Sequence, residues 1–328
     1  MLKRKKLIAN KRPKGIKDIW QFTNKVRKDY LVRPSFLPTF VKEKETTMQI
    51  AVITILYNPR PADLNHICQL AEHYSGVVVD NSATPSFASD RIGQMDYIFN
   101  HGNMGIAEAQ NRGLKRVLDD NRITHVVFLD QDSRVTTNYP DLITAHYETI
   151  RVRQSQLAML GPTVLREDCG EEYRSAIHRD IILEDSFIIR RDVISSGSCV
   201  ATEVLRKVGL NDSLLFIDFV DFEWCWRAEA KGYICGITSK VQIHHKVGVN
   251  ELRIGKYTVI ISTPIRYYYS YRNYLWLIRR AYVPLQWKIA QGIKLLLRLI
   301  YFPILVKGGC ERWKFMVRGL LAGLKKQD

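Results

Sequence analysis

Four short apolar runs, QIAVITILYN at 49–58, GVVVDNS at 76–82, DYIFN at 96–100 and THVVFLDQD at 124–132, are rich in β-branched residues, and each stops at a polar cluster. Segments with helical spacing lie beside them at about 62–74, 104–120 and 138–153. Runs without polar alternation are buried on both faces, so their alternation with amphipathic helices predicts an α/β fold with a mostly parallel sheet flanked by helices. Ligands of such sheets bind beyond the carboxyl ends of the strands. Tyr57 and Asn58, Asp80, Asn81 and Ser82, Asn100, and Asp130, Gln131 and Asp132 all fall there.

A second portion, about 157–250, mixes short strands with helices near 202–208 and 221–231, and beyond residue 264 the chain reads as helices rich in aromatics and cations. The expected layout is a basic arm over 1–48, a catalytic domain over 49–263 and a C-terminal helical basic and aromatic region over 264–328. Cations exceed acids by 10 in residues 1–48 and by 12 in residues 251–328, whereas residues 49–250 carry a net −6 within a total of +16. Basic ends around a mildly acidic body suit an anionic membrane surface or nucleic acid. Because the cations avoid the strand-end motifs, a nucleic-acid-binding protein is the weaker alternative and no nucleic acid is expected as a partner.

No G-x-G-x-x-G follows the first strand, which argues against a nicotinamide-dependent oxidoreductase. The six cysteines form no C-x-x-C pair and fit a reducing cytoplasm. The N-terminus lacks the apolar core of a secretory signal, and Lys288, Lys294 and Arg298 interrupt the most hydrophobic region, so neither export nor a spanning helix is expected.

In FLDQDS a buried strand delivers Asp130 and Asp132 to one edge. Two carboxylates there suit a hard cation such as Mg²⁺ or Mn²⁺, which prefers oxygen ligands and bridges to phosphates; an Asp-rich turn is the plain alternative. Asp80 could accept hydrogen bonds from a base or ribose. Asn103, Gly105 and Asn111 lie at a helix start, where Asn103 also reads as a simple cap. In FIDFVDFEWCWRAEAKGY, Asp221 stands at a helix start among apolar neighbours, as a general base would, whereas Glu223 and Arg227 read as an ordinary i,i+4 pair worth only ~0.3–0.5 kcal/mol. His244 and His245 end another strand, and period 2 sends them to opposite faces.

Together AVITILYN, VVVDNS, NHGNMGIAEAQNRG, FLDQDS, SSGSCV, FVDFEWCWRAEAKGY and HHKVG, spread over residues 49–250, resemble the inverting family-2 glycosyltransferases of the GT-A fold. The chain is most similar there to bacterial rhamnosyltransferases of cell-surface polysaccharide synthesis. The resemblance implies transfer of L-rhamnose from dTDP-L-rhamnose to a lipid-linked glycan, or of another sugar from a donor such as a UDP-hexose. It implies a nucleotide-sugar site made by Tyr57, Asn58, Asp80, Asn81, Asn103, Gly105, Asn111, Asp130, Gln131 and Asp132. Asp132 and His245 would hold Mg²⁺ or Mn²⁺, and Asp221 would be the catalytic base. Ser198, Trp224 and Arg227 would meet the acceptor. Val220 departs from the family's pattern, standing where a Glu usually precedes that Asp.

The stretch RYYYSYRNYLWLIRRAY at 266–282 and the apolar, cation-spaced residues after it fit an in-plane helical association with anionic lipid. A peripheral enzyme on the cytoplasmic face of the plasma membrane is the resulting expectation.

Overall fold

The computed structural model describes residues 48–166, 181–182, 186–245, 250–254 and 257–325. The expected basic arm over 1–48 therefore falls, but for Met48, outside the described residues. A single large sheet carries the body. Its strands are β1 (Ile50–Leu56), β2 (Ser75–Asp80), β3 (Arg91–Ile92), β4 (Met95–Phe99), β5 (His125–Asp130), β6 (Leu157–Arg166), β7 (Ile181–Ile182), β8 (Phe187–Ile189), β9 (Cys199–Ala201) and β10 (Ile234–His245). They lie in the order β3-β4-β2-β1-β5-β9-β6-β10-β8-β7.

The long strands are parallel: β4 with β2, β2 with β1, β1 with β5, and β6 with β10. Short β9 runs antiparallel between β5 and β6 and joins the two parallel groups, so the sheet is mixed where the sequence pattern suggested only "mostly parallel". Three residues cannot show a period, which is why β9 was illegible. β1 and β5 are almost wholly buried, as uninterrupted β-branched runs require. Their register, Leu56 beside Asp80 and Ile55 beside Asp130, brings three polar loops to one edge.

Helices α1 (Pro61–His73), α2 (Gly105–Leu118), α3 (Tyr139–Arg153), α4 (Thr202–Val208) and α5 (Val220–Ala230) flank the sheet. After a two-stranded ribbon, β11 (Asn250–Ile254) with β12 (Tyr257–Ile261), come α6 (Pro264–Leu277), α7 (Leu285–Leu305) and α8 (Gly309–Leu324). These last helices are fastened to the body. Leu277 and Val283 share a buried cluster with Ala107, Leu215, Val220 and Trp226. A second cluster, Tyr267, Tyr271, Leu295, Phe302, Val306 and Met316, ties α6, α7 and α8 to one another. Among the described residues no helix is long and apolar enough to cross a membrane.

The approach of α8 to α6 depends on Gly319, where an added Cβ would stand 2.3 Å from the carbonyl oxygen of Tyr268. Gly→Ala inside a helix ordinarily stabilises by up to ~1 kcal/mol. Gly319→Ala is expected to reverse that sign and cost about 1–3 kcal/mol in urea unfolding, because two backbones must separate.

Candidate active site

Side chains lock the three loops at the sheet edge into one rim. The Gln131 side chain accepts from the Tyr57 N–H at 2.8 Å and donates to the Tyr57 carbonyl at 3.3 Å. Asn58, held at φ 48°, donates its N–H to Ser82 Oγ at 2.8 Å. Asp80 is fully buried, and its carboxylate accepts from the Ser82 N–H, the Ser86 N–H and the Tyr97 hydroxyl at 2.8, 2.9 and 2.7 Å. Burial pushes its pKa up, but these donors outweigh burial and hold it below the ordinary carboxylate value. Its oxygens thereby organise the loop after β2.

Met104 and not Asn103 stands at the N-cap of α2; the Asn103 Oδ1 accepts from the Gly105 N–H at 2.9 Å, closing a turn just ahead of the helix. Asn81 donates to the Gly105 carbonyl at 3.1 Å and accepts from Asn100 at 2.8 Å. Gly105 has φ +82°, and a Cβ there would meet the Phe216 ring at 2.6 Å. Only glycine satisfies both conditions. Asn111 is spent differently from the expectation: it donates to the Asn211 carbonyl and Ser213 Oγ, both at 2.9 Å, and accepts from the Asn211 N–H at 2.8 Å. It clasps α2 to the loop before α5, with both amide hydrogens and one lone pair of its oxygen engaged.

Two carboxylates face that rim from different elements. Asp130 ends β5, and its turn is closed by a Ser133 N–H to Asp130 carbonyl bond of 3.0 Å that leaves Asp132 exposed. Asp221, in the first turn of α5, is half-buried and accepts from the Phe222 N–H at 3.0 Å and the Ser195 N–H at 3.3 Å. Burial raises its pKa, backbone N–H groups of Phe222, Ser195 and Asp221 itself pull it down, and the negative charge of Asp130 adds to the rise, the net being a value of about 6. A carboxylate poised there is ionised at neutral pH yet more basic than usual, as a general base should be. Asp192, which the sequence did not single out, is pushed up to about 7 by burial and by Asp221. No local pattern marks it, since only folding brings the RRD turn to α5.

The segment leading into α5 is strained. Phe216, Asp218 and Phe219 have φ of 64°, 68° and 66°, left-handed values that cost a non-glycine residue about 1–2 kcal/mol each. Helix α6 over-determines this path. The fully buried Asn273 side-chain amide donates to the carbonyls of Leu215, Ile217 and Asp218 at 2.8, 2.8 and 3.1 Å. Arg272 donates to the Leu214 carbonyl at 2.7 Å and stacks 4.2 Å over Trp276, Arg266 pairs with Asp218, and Tyr269 stacks on Phe216 at 4.4 Å. The aromatic and basic stretch at 266–282, expected to meet a lipid surface, thus spends Arg266, Tyr269, Arg272 and Asn273 on the loop that leads to Asp221.

The residues expected to meet the acceptor make hydrogen bonds within the protein. Ser198 is fully buried and donates to the Ser195 carbonyl at 2.8 Å, and buried Trp224 donates to the Gly209 carbonyl at 2.8 Å. Arg227 spends its donors on Glu223 and on the Val208 and Leu210 carbonyls. The Glu223–Arg227 pair is also not the weak surface pair its spacing suggested. Glu223 is 1% exposed and accepts from Arg227 at 3.0 Å and from the Tyr282 hydroxyl at 2.6 Å, with Arg280 at 3.3 Å. Breaking such a buried network by removing one partner costs about 3–5 kcal/mol. His245 ends β10, but its side chain lies outside the described residues. Among the described residues no group of three or more His, Cys, Asp or Glu gathers as a ready-made metal cage.

Asp221 yields a sign test. An acid whose native pKa stands above its unfolded value costs stability wherever it is ionised, so the native protein gains stability as pH falls through about 6 toward the ordinary carboxylate value. Asp221→Asn, which removes the buried charge, is expected to be more stable than the parent by on the order of 1–3 kcal/mol at pH 7.5 and to lose that advantage near pH 4. Urea unfolding at the two pH values measures it; a destabilised variant at pH 7.5 contradicts the electrostatic account.

No family model matches the chain. It is 29% identical over 290 residues to dTDP-rhamnosyl transferase RfbF of Shigella flexneri, a match that covers 84% of this chain and 94% of that protein. Looser likenesses of shape are to GalNAc-T7 crystallised with UDP, GalNAc and Mn²⁺ (TM-score 0.48, 11% identity, 86% of this chain and 63% of that one). Another is to TarS of S. aureus in complex with UDP (TM-score 0.48, 16% identity, 79% of this chain and 76% of that one). The resemblance to bacterial rhamnosyltransferases that the motifs carry is thus borne out by a likeness in sequence that extends over most of the chain.

Proposed function

We propose that this protein is a glycosyltransferase that moves L-rhamnose from dTDP-L-rhamnose, with inversion, onto a lipid-linked glycan at an anionic membrane surface. The likeness to dTDP-rhamnosyl transferase RfbF carries the reading, and the raised pKa of Asp221 beside the polar strand ends supports it. In this reading Asp221 takes the proton of an acceptor hydroxyl while the hydroxyl oxygen bonds to the anomeric carbon and the bond from that carbon to the diphosphate oxygen breaks on the opposite face. The backbone N–H groups of Phe222 and Ser195 fix the direction of the Asp221 carboxylate. The Tyr57–Gln131 and Asn58–Ser82 bonds hold the donor loops in place.

A divalent cation, Mg²⁺ or Mn²⁺, fits exposed Asp132 in its donor chemistry, because such ions commonly take one or two protein carboxylates and complete their shell with substrate phosphates. Asp132, with His245 as a second protein donor, would hold it, and it would supply neutralisation of charge on the departing diphosphate.

Release of dTDP from dTDP-L-rhamnose, compared with release from a panel of UDP-hexoses, tests the donor. Turnover with a UDP-hexose and none with dTDP-rhamnose rejects it. Asp221→Asn is expected to lower transfer at least ~10²-fold with donor binding retained, and parental kcat/KM is expected to fall below about pH 6 as Asp221 is protonated. Asp132→Ala is expected to lose turnover while its unfolding midpoint stays within about 0.5 kcal/mol of the parent, as for any exposed side chain. Full activity in excess chelator would count against the cation.

A further inference from the structure

Helix α7 spans 21 residues and has two unlike faces. On one, Leu295 and Phe302 are buried, and Trp287 and Leu299 pack into the clusters that bind α7 to α5, α6 and α8. The other presents Leu285, Ile289, Ile293, Leu296, Ile300 and Ile304, whose spacings of 4, 4, 3, 4 and 4 keep them on one stripe along most of the helix. Each is at least 55% exposed, reaching 76% at Ile304. A stripe of that length, about 30 Å, is an interaction surface by its size.

Charge identifies the occupant. No Asp or Glu occurs from residue 252 to residue 310, and residues 251–328 carry a net +12. Lys294 is exposed beside the stripe, and Lys307 follows the helix end. Two copies meeting through this face would bring two strongly cationic segments together, which disfavours self-association. An anionic lipid surface satisfies both the apolar stripe and the cations.

We infer that α7 lies in the plane of an anionic bilayer with the Leu285–Ile304 stripe among the acyl chains and Lys294 at the headgroups. This rests on the membrane reading above and deepens it, assigning the contact to α7 and not to the aromatic helix α6, whose side chains are engaged with the base loop.

The full-length protein and the triple variant Ile289→Asn/Ile293→Asn/Ile300→Asn are compared by co-sedimentation with phosphatidylcholine vesicles containing or lacking phosphatidylglycerol. The parent is expected to bind the anionic vesicles, and the triple variant to partition roughly a hundredfold or more weaker, with unchanged thermal midpoint. Lys294→Gln is expected to weaken only the anionic component. Should the triple variant unfold, an Ile293→Trp variant replaces it, its added fluorescence being quenched by brominated acyl chains. Undiminished binding by the folded triple variant, or no quenching, overturns the assignment to α7 while leaving the membrane reading. Absence of binding by the parent overturns both. A parental dimer that the triple variant converts to monomer makes a second copy the occupant and overturns the lipid assignment.

Discussion

The amide of Asn273 holds the structure's functional half in place. Three residues with left-handed φ, Phe216, Asp218 and Phe219, precede α5, and an isolated chain would relax out of them. One buried side chain from α6 gathers the carbonyls of Leu215, Ile217 and Asp218. Around it Arg272, Arg266 and Tyr269 fasten the same segment from the same helix. The direction in which α5 starts, and with it the aim of Asp221, follows from contacts made by residues some fifty positions downstream.

Helix α5 also shows how two carboxylates in one turn acquire opposite characters. Glu223 is nearly inaccessible but surrounded by Arg227, Arg280 and the Tyr282 hydroxyl, so its charge is compensated. Asp221, two residues earlier, receives only backbone N–H groups and faces Asp130 and Asp192. One becomes an anchor; the other keeps a reactive lone pair at a cost in stability.

Much of the sheet was legible in the sequence because burial on both faces forces uninterrupted β-branched runs, and the strand ends then located the polar rim. Asp221 stood out in the sequence because a carboxylate amid Phe219, Phe222 and Trp224 has few structural excuses. What sequence could not reveal is how polar side chains are spent. Asn111, Ser198, Trp224 and Arg227 have the chemistry of ligand-binding groups, but each is satisfied by a neighbouring carbonyl, carboxylate or amide that only folding brings near. Asn273 and Asp192 escaped for the converse reason, since neither belongs to a periodic pattern or local motif. The clamp made by α6 was hidden because interface-loving rings and a stacked interior clamp share one composition.

The clasp between α6 and the loop ahead of α5 sets the size of the unit that can be exchanged between related enzymes. A hybrid of two related chains that breaks between α5 and α6 would pair a strained loop with a foreign clamp. The segment that carries the clasp also meets α2 through Asn111 and through the Asn211 amide on Gln110, and the sheet through β10 on β6, so an exchange that keeps loop and clamp together must still match those partners.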